Sequence, residues 1–241
     1  MIEKVRNIAK KHVIEAINIR KHLHAHPELS FQEYETSKYI QSVLKKHGIP
    51  FTTGHVETGI IATIKGKNPD TKEILLRADL DALPIKEDNI IDYKSKNDGV
   101  MHACGHDFHS ASLIGTALIL NELKEDFNGT IKFVFQPGEE KLPGGAKLMI
   151  EDGLLDNKPQ ACIAQHVYPD LQVGKVGFRP GLYMASADEI HVTVKGKGGH
   201  AALPHLLKDP VLMASQIITN LQQIVSRITN QTILLYYPLA M

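Results

Sequence analysis

Apolar residues in the first part of the chain recur at helical spacing. Ile2, Val5, Ile8, Ala9, Val13, Ala16, Ile17 and Ile19 mark a helix over 2–24, and a second is predicted over about 30–47, closed by His47-Gly48 with Pro50 beyond. The pattern then switches to strands at 59–65 and 73–80, separated by the turn residues Gly66-Lys67-Asn68-Pro69-Asp70. An apolar helix at 107–124, a strand at 130–136, a helix at 144–152 and a strand at 161–166 follow. Strand and helix alternating in this way predict an α/β domain, a mixed sheet with helices on both faces.

The pattern shifts after Pro180-Gly181. Residues 188–195 alternate apolar and polar as a half-exposed strand, 196–199 form a glycine-rich turn, and 209–228 read as an amphipathic helix with Pro210 in its first turn. The expected division is a domain over 1–185 and the start of a smaller α+β unit over 186–241. One strand, one helix and the apolar tail 231–241 would leave that unit with exposed sheet edges.

Composition narrows the function classes. A chain of 241 residues that is 43% hydrophobic and 22% charged can bury a large core. Its 27 basic residues balance 27 acidic ones, which leaves no net field for nucleic acid or anionic lipid. The longest apolar runs, such as 111–120, are about half of what a bilayer crossing needs. With no apolar leader at the N-terminus, a cytoplasmic location is expected. Cys104 and Cys162 stand in unlike contexts, so a bridge is not expected. Histidine is over-represented, with 13 residues against seven Tyr, seven Phe and no Trp. Imidazole binds metals and moves protons near neutral pH.

The chemistry concentrates in a few stretches. Met101-His102-Ala103-Cys104-Gly105-His106-Asp107-Phe108-His109 holds four potential metal ligands at the start of a helix. A thiolate and an imidazole two residues apart face one cation if the intervening glycine turns sharply, and Asp107 can hold an imidazole by its other nitrogen. His102 and His109 stay open between ligands and ordinary polar residues. Gln136-Pro137-Gly138-Glu139-Glu140 follows a strand, and adjacent carboxylates there point in different directions, one toward a metal and one toward a proton. His166 ends the next strand, and Arg77-Ala78-Asp79-Leu80-Asp81 puts two more carboxylates at the end of 73–80. One shared site explains three such strand ends better than three accidents do.

Together these residues resemble the dinuclear metallo-amidohydrolases that include bacterial aminoacylases, hippurate hydrolase, N-acetyl-diaminopimelate deacetylase and plant hydrolases of auxin–amino acid conjugates. The matching stretches are RKHLHAHPELSFQEYET (20–36), RADLDALPIKE (77–87), MHACGHDFH (101–109), FQPGEE (135–140), GGAKLMIEDGLL (144–155), QHV (165–167) and KGKGGHAALPH (195–205). The resemblance implies a catalytic domain with two divalent cations, Zn, Mn or Co, and a smaller lid domain that also forms a homodimer. It implies Cys104, His106, Glu140 and His166 as metal ligands, Glu139 as general base and acid, Asp81 as the aspartate that orients the metal site, and His200 as the lid histidine that steadies the oxyanion. Asp107 would support the site from behind. His22, His24 and His26 are read as structural.

The implied activity is hydrolysis of the amide bond in N-acyl amino acids or small peptides, with no nucleic-acid or membrane partner. Family members are longer, and after the lid their chain returns to complete the catalytic domain. The expectation is therefore a C-terminally truncated chain, and the alternative reading is an inactive fragment that keeps at most a partial metal site. A structural-zinc or nucleic-acid module is argued against by the neutral charge and the single Cys-x-His.

Overall fold

Strand β4 (Thr130–Gln136) alternates Phe133 and Phe135 toward one side of a sheet and Val134 toward the other, and all three are buried. It is the middle of a five-stranded sheet of order β1-β2-β4-β3-β5, in which β1 is Phe51–Gly54, β2 Glu57–Lys65, β3 Glu73–Asp79 and β5 Ala161–Ala164. β1, β2 and β4 are joined antiparallel, whereas β4, β3 and β5 run parallel. The computed structural model describes residues 1–181 and 190–228, and the chain divides into two compact units, 1–170 and 171–241.

Helices α1 (Ile2–Ala25), α2 (Tyr34–Lys46) and α3 (His106–Glu122) cover one face of the first unit. Ile19 and Leu23, Ile40 and Leu44, and Ile114 and Leu118 meet Ile60, Ala62, Ala78, Phe133 and Phe135 there. On the other face Leu75 and Val134 pack against Met149 of α4 (Gly145–Glu151), with Leu154 and Leu155 beside them. The expected mixed α/β sheet with helices on both faces is thus observed.

The differences are local. α2 begins at Tyr34 rather than near residue 30, because Phe31 is left-handed (φ 64°) and the Glu28 carboxylate accepts the N–H groups of Glu35 and Thr36. The short edge strand β1 was not expected, being four residues long with only Phe51 partly buried. β5 stops at Ala164, the last residue paired with β3, which leaves His166 beyond the ladder.

In the second unit, α5 (Pro210–Gln223) is capped by the Asp209 carboxylate, which accepts from Val211 and Leu212, and a π-helical turn, Ile224–Ile228, continues it. The strand expected over 188–195 does not form within the described residues 190–195. Beyond them, an antiparallel bridge joins Lys197 to Lys208. Residues 188–189 and the tail 231–241 lie outside the described residues. No helix among the described residues is long and apolar enough to cross a membrane.

Candidate metal centre

The three parallel strands end along one edge of the sheet, with Asp79 in register with Gln136 and Arg77 with Ala164. Helix α3 starts at that edge. Its entry turns on Gly105, which is left-handed (φ 84°) and so close to Val167 that a Cβ would lie 2.5 Å from Val167 Cγ2. Only glycine meets both demands, and the tight turn directs Cys104 and His106 into one place.

The side chains that converge are Cys104, His106, Glu139, Glu140 and His166. Cys104 Sγ lies 3.3 Å from His166 Nε2, and one donor atom each from Cys104, His106 and His166 falls within 4.8 Å of the others. His106, Glu139 and Glu140 meet the same measure, as do Asp79, His106 and His109. His106 belongs to all three groups. Its Nδ1 donates to the Asp81 carbonyl oxygen at 2.8 Å, which points Nε2 at Glu140 Oε1 and Asp79 Oδ2, each 3.7 Å away.

Two observations show that these donors fit a cation. His106 Nε2 and Glu140 Oε1 are buried and lack hydrogen-bond partners, an arrangement that is costly unless something else occupies the space between them. The field points the same way. Burial opposes charge on His106, yet the hydrogen bond with Asp81, helped by Cys104 and Asp79, pushes its pKa up to about 11. Surroundings that hold a proton so firmly equally favour a metal ion. The donor set of sulfur, imidazole and carboxylate suits a borderline divalent cation.

The carboxylates behind the site are tied down. Asp81, 1% exposed, accepts from Ser30 Oγ at 2.6 Å and from the Glu140 N–H at 2.9 Å; burial raises its pKa, but these bonds and His106 lower it overall. Asp79 resists the same burial through His109, Arg77 and His106, which hold it at about 2. Glu139 differs. Burial and then the neighbouring Glu140 carboxylate push its pKa above the ordinary range, as suits a group that must take up a proton.

Sequence reasoning placed Asp79 at the strand end with Asp81 but gave it no role of its own, and it left His109 undecided, although His109 is one turn from His106 on the same helix face. His109 Nδ1 donates to Asp79 Oδ1 at 2.6 Å and its Nε2 accepts the Val167 N–H at 3.0 Å, so both nitrogens are engaged. His102 is 5% exposed, has no hydrogen-bond partner on either ring nitrogen and belongs to none of the donor groups; burial depresses its pKa to about 4. Asp107 accepts from Arg20 and His24. His22 stacks on Tyr39 and His26 bonds the His22 carbonyl, in keeping with structural roles. His200 lies in the second unit, exposed, with Nδ1 accepting the Ala202 N–H. Both cysteines are free.

Known proteins are similar to this chain over most of its length. The chain is 49% identical over 212 residues to an N-acetylcysteine deacetylase of Bacillus subtilis, covering 88% of this chain and 55% of that protein. It is 42% identical over 225 residues to an N-acyl-L-amino acid amidohydrolase of Geobacillus stearothermophilus, covering 93% and 60%. A Bacillus subtilis crystal structure described as a dinuclear metal-binding peptidase from the M20 family superposes with a TM-score of 0.68 at 46% identity, over 71% of this chain and 48% of that one. The chain therefore spans about half to three fifths of the length of these relatives. Residues 75–237 match the family model for peptidase family M20/M25/M40, and with the relatives' identity this places the chain in that family.

Proposed function

We propose that the chain carries the metal-binding machinery of an amidohydrolase that cleaves the amide bond of N-acyl amino acids or small peptides. The single observation that carries this reading is the unpartnered His106 Nε2 and Glu140 Oε1, 3.7 Å apart and next to the Cys104–His166 pair. Cys104, His106, Glu140 and His166 would hold two divalent cations. When bound, these supply Lewis acidity that polarises the acyl oxygen and makes water a better nucleophile.

The chain's own residues do the rest. Glu139, its proton affinity raised, takes the proton from the attacking water and delivers it to the departing amine nitrogen, so one carboxylate serves as base and then acid. Asp81 holds His106 through its backbone carbonyl and fixes the Glu140 amide, which orients two ligands from one residue. His200 is assigned the oxyanion donor on the family resemblance. We further propose that 1–185 is the catalytic domain, that 186–241 belongs to a lid through which two copies associate, and that the protein works in the cytoplasm.

Hydrolysis of hippurate and N-acetyl amino acids in the presence of Mn²⁺, Zn²⁺ or Co²⁺, next to a Glu139→Ala control, tests the reading. Turnover that this change abolishes is the expected result. Turnover unaffected by it, or none with any of the three ions, overturns the assignment.

A further inference from the structure

Glu33 is 0% exposed, a charged side chain with no access to solvent. It occupies the N-cap position of α2 yet makes no capping bond, since Glu28 accepts the free N–H groups of that helix. Its side chain reaches away instead. Oε1 accepts the backbone N–H of Gly138 at 2.8 Å and that of Phe31 at 2.9 Å, and Oε2 accepts the Thr58 hydroxyl at 2.8 Å. Burial pushes the Glu33 carboxyl upward against these donors. A buried carboxylate that costly, whose helix is capped by another residue, stabilises something other than its helix.

What it holds is the turn before Glu139. Gly138 is left-handed (φ 57°), and a Cβ there would lie 2.4 Å from the Phe31 ring, so ring and glycine fit only in this arrangement. Two residues on, the Glu140 N–H is held by Asp81 Oδ2 at 2.9 Å. Glu139 thus sits between two amides, each anchored to a buried carboxylate from a distant part of the chain.

We propose that Glu33 is a positioning residue for Glu139: by accepting the Gly138 N–H, it fixes the turn that sends Glu139 and Glu140 in different directions. The inference rests on Glu139 being the general base. Reach, rather than charge, is what the role requires, and two substitutions separate them. Glu33→Gln keeps the length and an acceptor oxygen for both backbone N–H groups, and Thr58 can rotate to accept. Glu33→Asp keeps the charge but is one methylene too short to reach Gly138.

Both variants are compared with the unaltered chain, loaded with Mn²⁺, for hydrolysis of an N-acetyl amino acid, for bound Mn²⁺, and for amide hydrogen exchange over 136–141. Glu33→Asp is expected to lower kcat roughly ten- to a hundredfold, the scale of a misplaced catalytic group. KM and bound Mn²⁺ stay unchanged and exchange over 136–141 speeds up. Glu33→Gln is expected within about threefold of the unaltered chain, since an equivalent acceptor replaces the first. Unchanged kcat in Glu33→Asp, or equal loss in both variants, overturns the proposal. So does unchanged exchange in Glu33→Asp, which is read even if the unaltered chain hydrolyses nothing and the functional assignment itself falls.

Discussion

The imidazole of His109 accepts the backbone N–H of Val167 at 3.0 Å, which ties the first turn of α3 to the segment that presents His166. Asp79 makes this bond possible. By accepting from Nδ1 at 2.6 Å it fixes the tautomer that leaves Nε2 as an acceptor. The His109 ring also meets that of His166 edge-on, with centroids 4.6 Å apart. On the proposed ligand set, His109 would orient the ligand His166 rather than bind a cation itself.

His109→Phe keeps the ring volume and removes both hydrogen bonds. Loss of such a supporting partner weakens metal binding by about ten- to a hundredfold, an effect that titration calorimetry with Zn²⁺ or Mn²⁺ reads directly. Undiminished affinity would show that Val167 holds its place without the imidazole.

The proposed division of roles between a metal ligand, Cys104, and the proton carrier, Glu139, is testable by metal content alone. Cys104→Ala removes the sulfur 3.3 Å from His166 Nε2 and is expected to lower the bound metal per chain, whereas Glu139→Ala leaves it intact. Elemental analysis after dialysis compares the two. Equal loss in both would make Glu139 a ligand and leave the proton transfer without an owner.

The architecture of the site's edge was legible from the strands: 130–136 appeared in the sequence with the bounds the structure gives it, and 73–80 and 161–166 differ by one or two residues. Local spacing also singled out Cys104 and His106, because a glycine between two donors has a local meaning. The function of Glu33 was not legible, because its partner Gly138 is 105 residues away and nothing local marks a carboxylate that bonds a distant amide. Asp79 was named beside Asp81 but given no role, for a related reason. Two residues apart, they would share a face of a regular strand, but β3 ends at Asp79, and beyond it only the tertiary packing, α3 included, decides what each one meets.

A buried network around Glu87 and His24 is expected to contribute to acid stability. Glu87, 3% exposed, accepts from the Ser95 N–H, from Asn89 and from His24. Burial raises its pKa, but these donors win and hold it at about 2. The folded value lies below the unfolded one, so the stability it contributes is complete above about pH 4.3 and vanishes as pH falls toward about 2. His24 has the opposite sign. Asp107 and Glu87 raise its pKa against burial, so its contribution is complete below about pH 6.5 and is lost as pH rises through the folded value. Glu87→Gln is expected to flatten the dependence of the urea midpoint on pH in the acid window and to weaken it in the alkaline one. An acid limb as steep as that of the unaltered chain would assign the effect to other carboxylates.

Gly105 combines two separable constraints, a left-handed backbone and the contact with Val167. Adding a Cβ to a left-handed residue costs about 1–2 kcal/mol, and overpacking against a fixed neighbour typically adds about 1–3 kcal/mol. Gly105→Ala should therefore destabilise by roughly 2–5 kcal/mol, the sum of these two costs. Val167→Ala removes the methyl group that the new Cβ would strike but does nothing for the backbone. In that background the cost of Gly105→Ala should fall to about 1–2 kcal/mol, the conformational part alone. Urea unfolding of the two single variants and the double variant measures the coupling as a double-mutant cycle. A coupling near zero would mean that Val167 yields freely, and the tight approach between the α3 entry and the His166 segment would then not help bring Cys104 and His166 together.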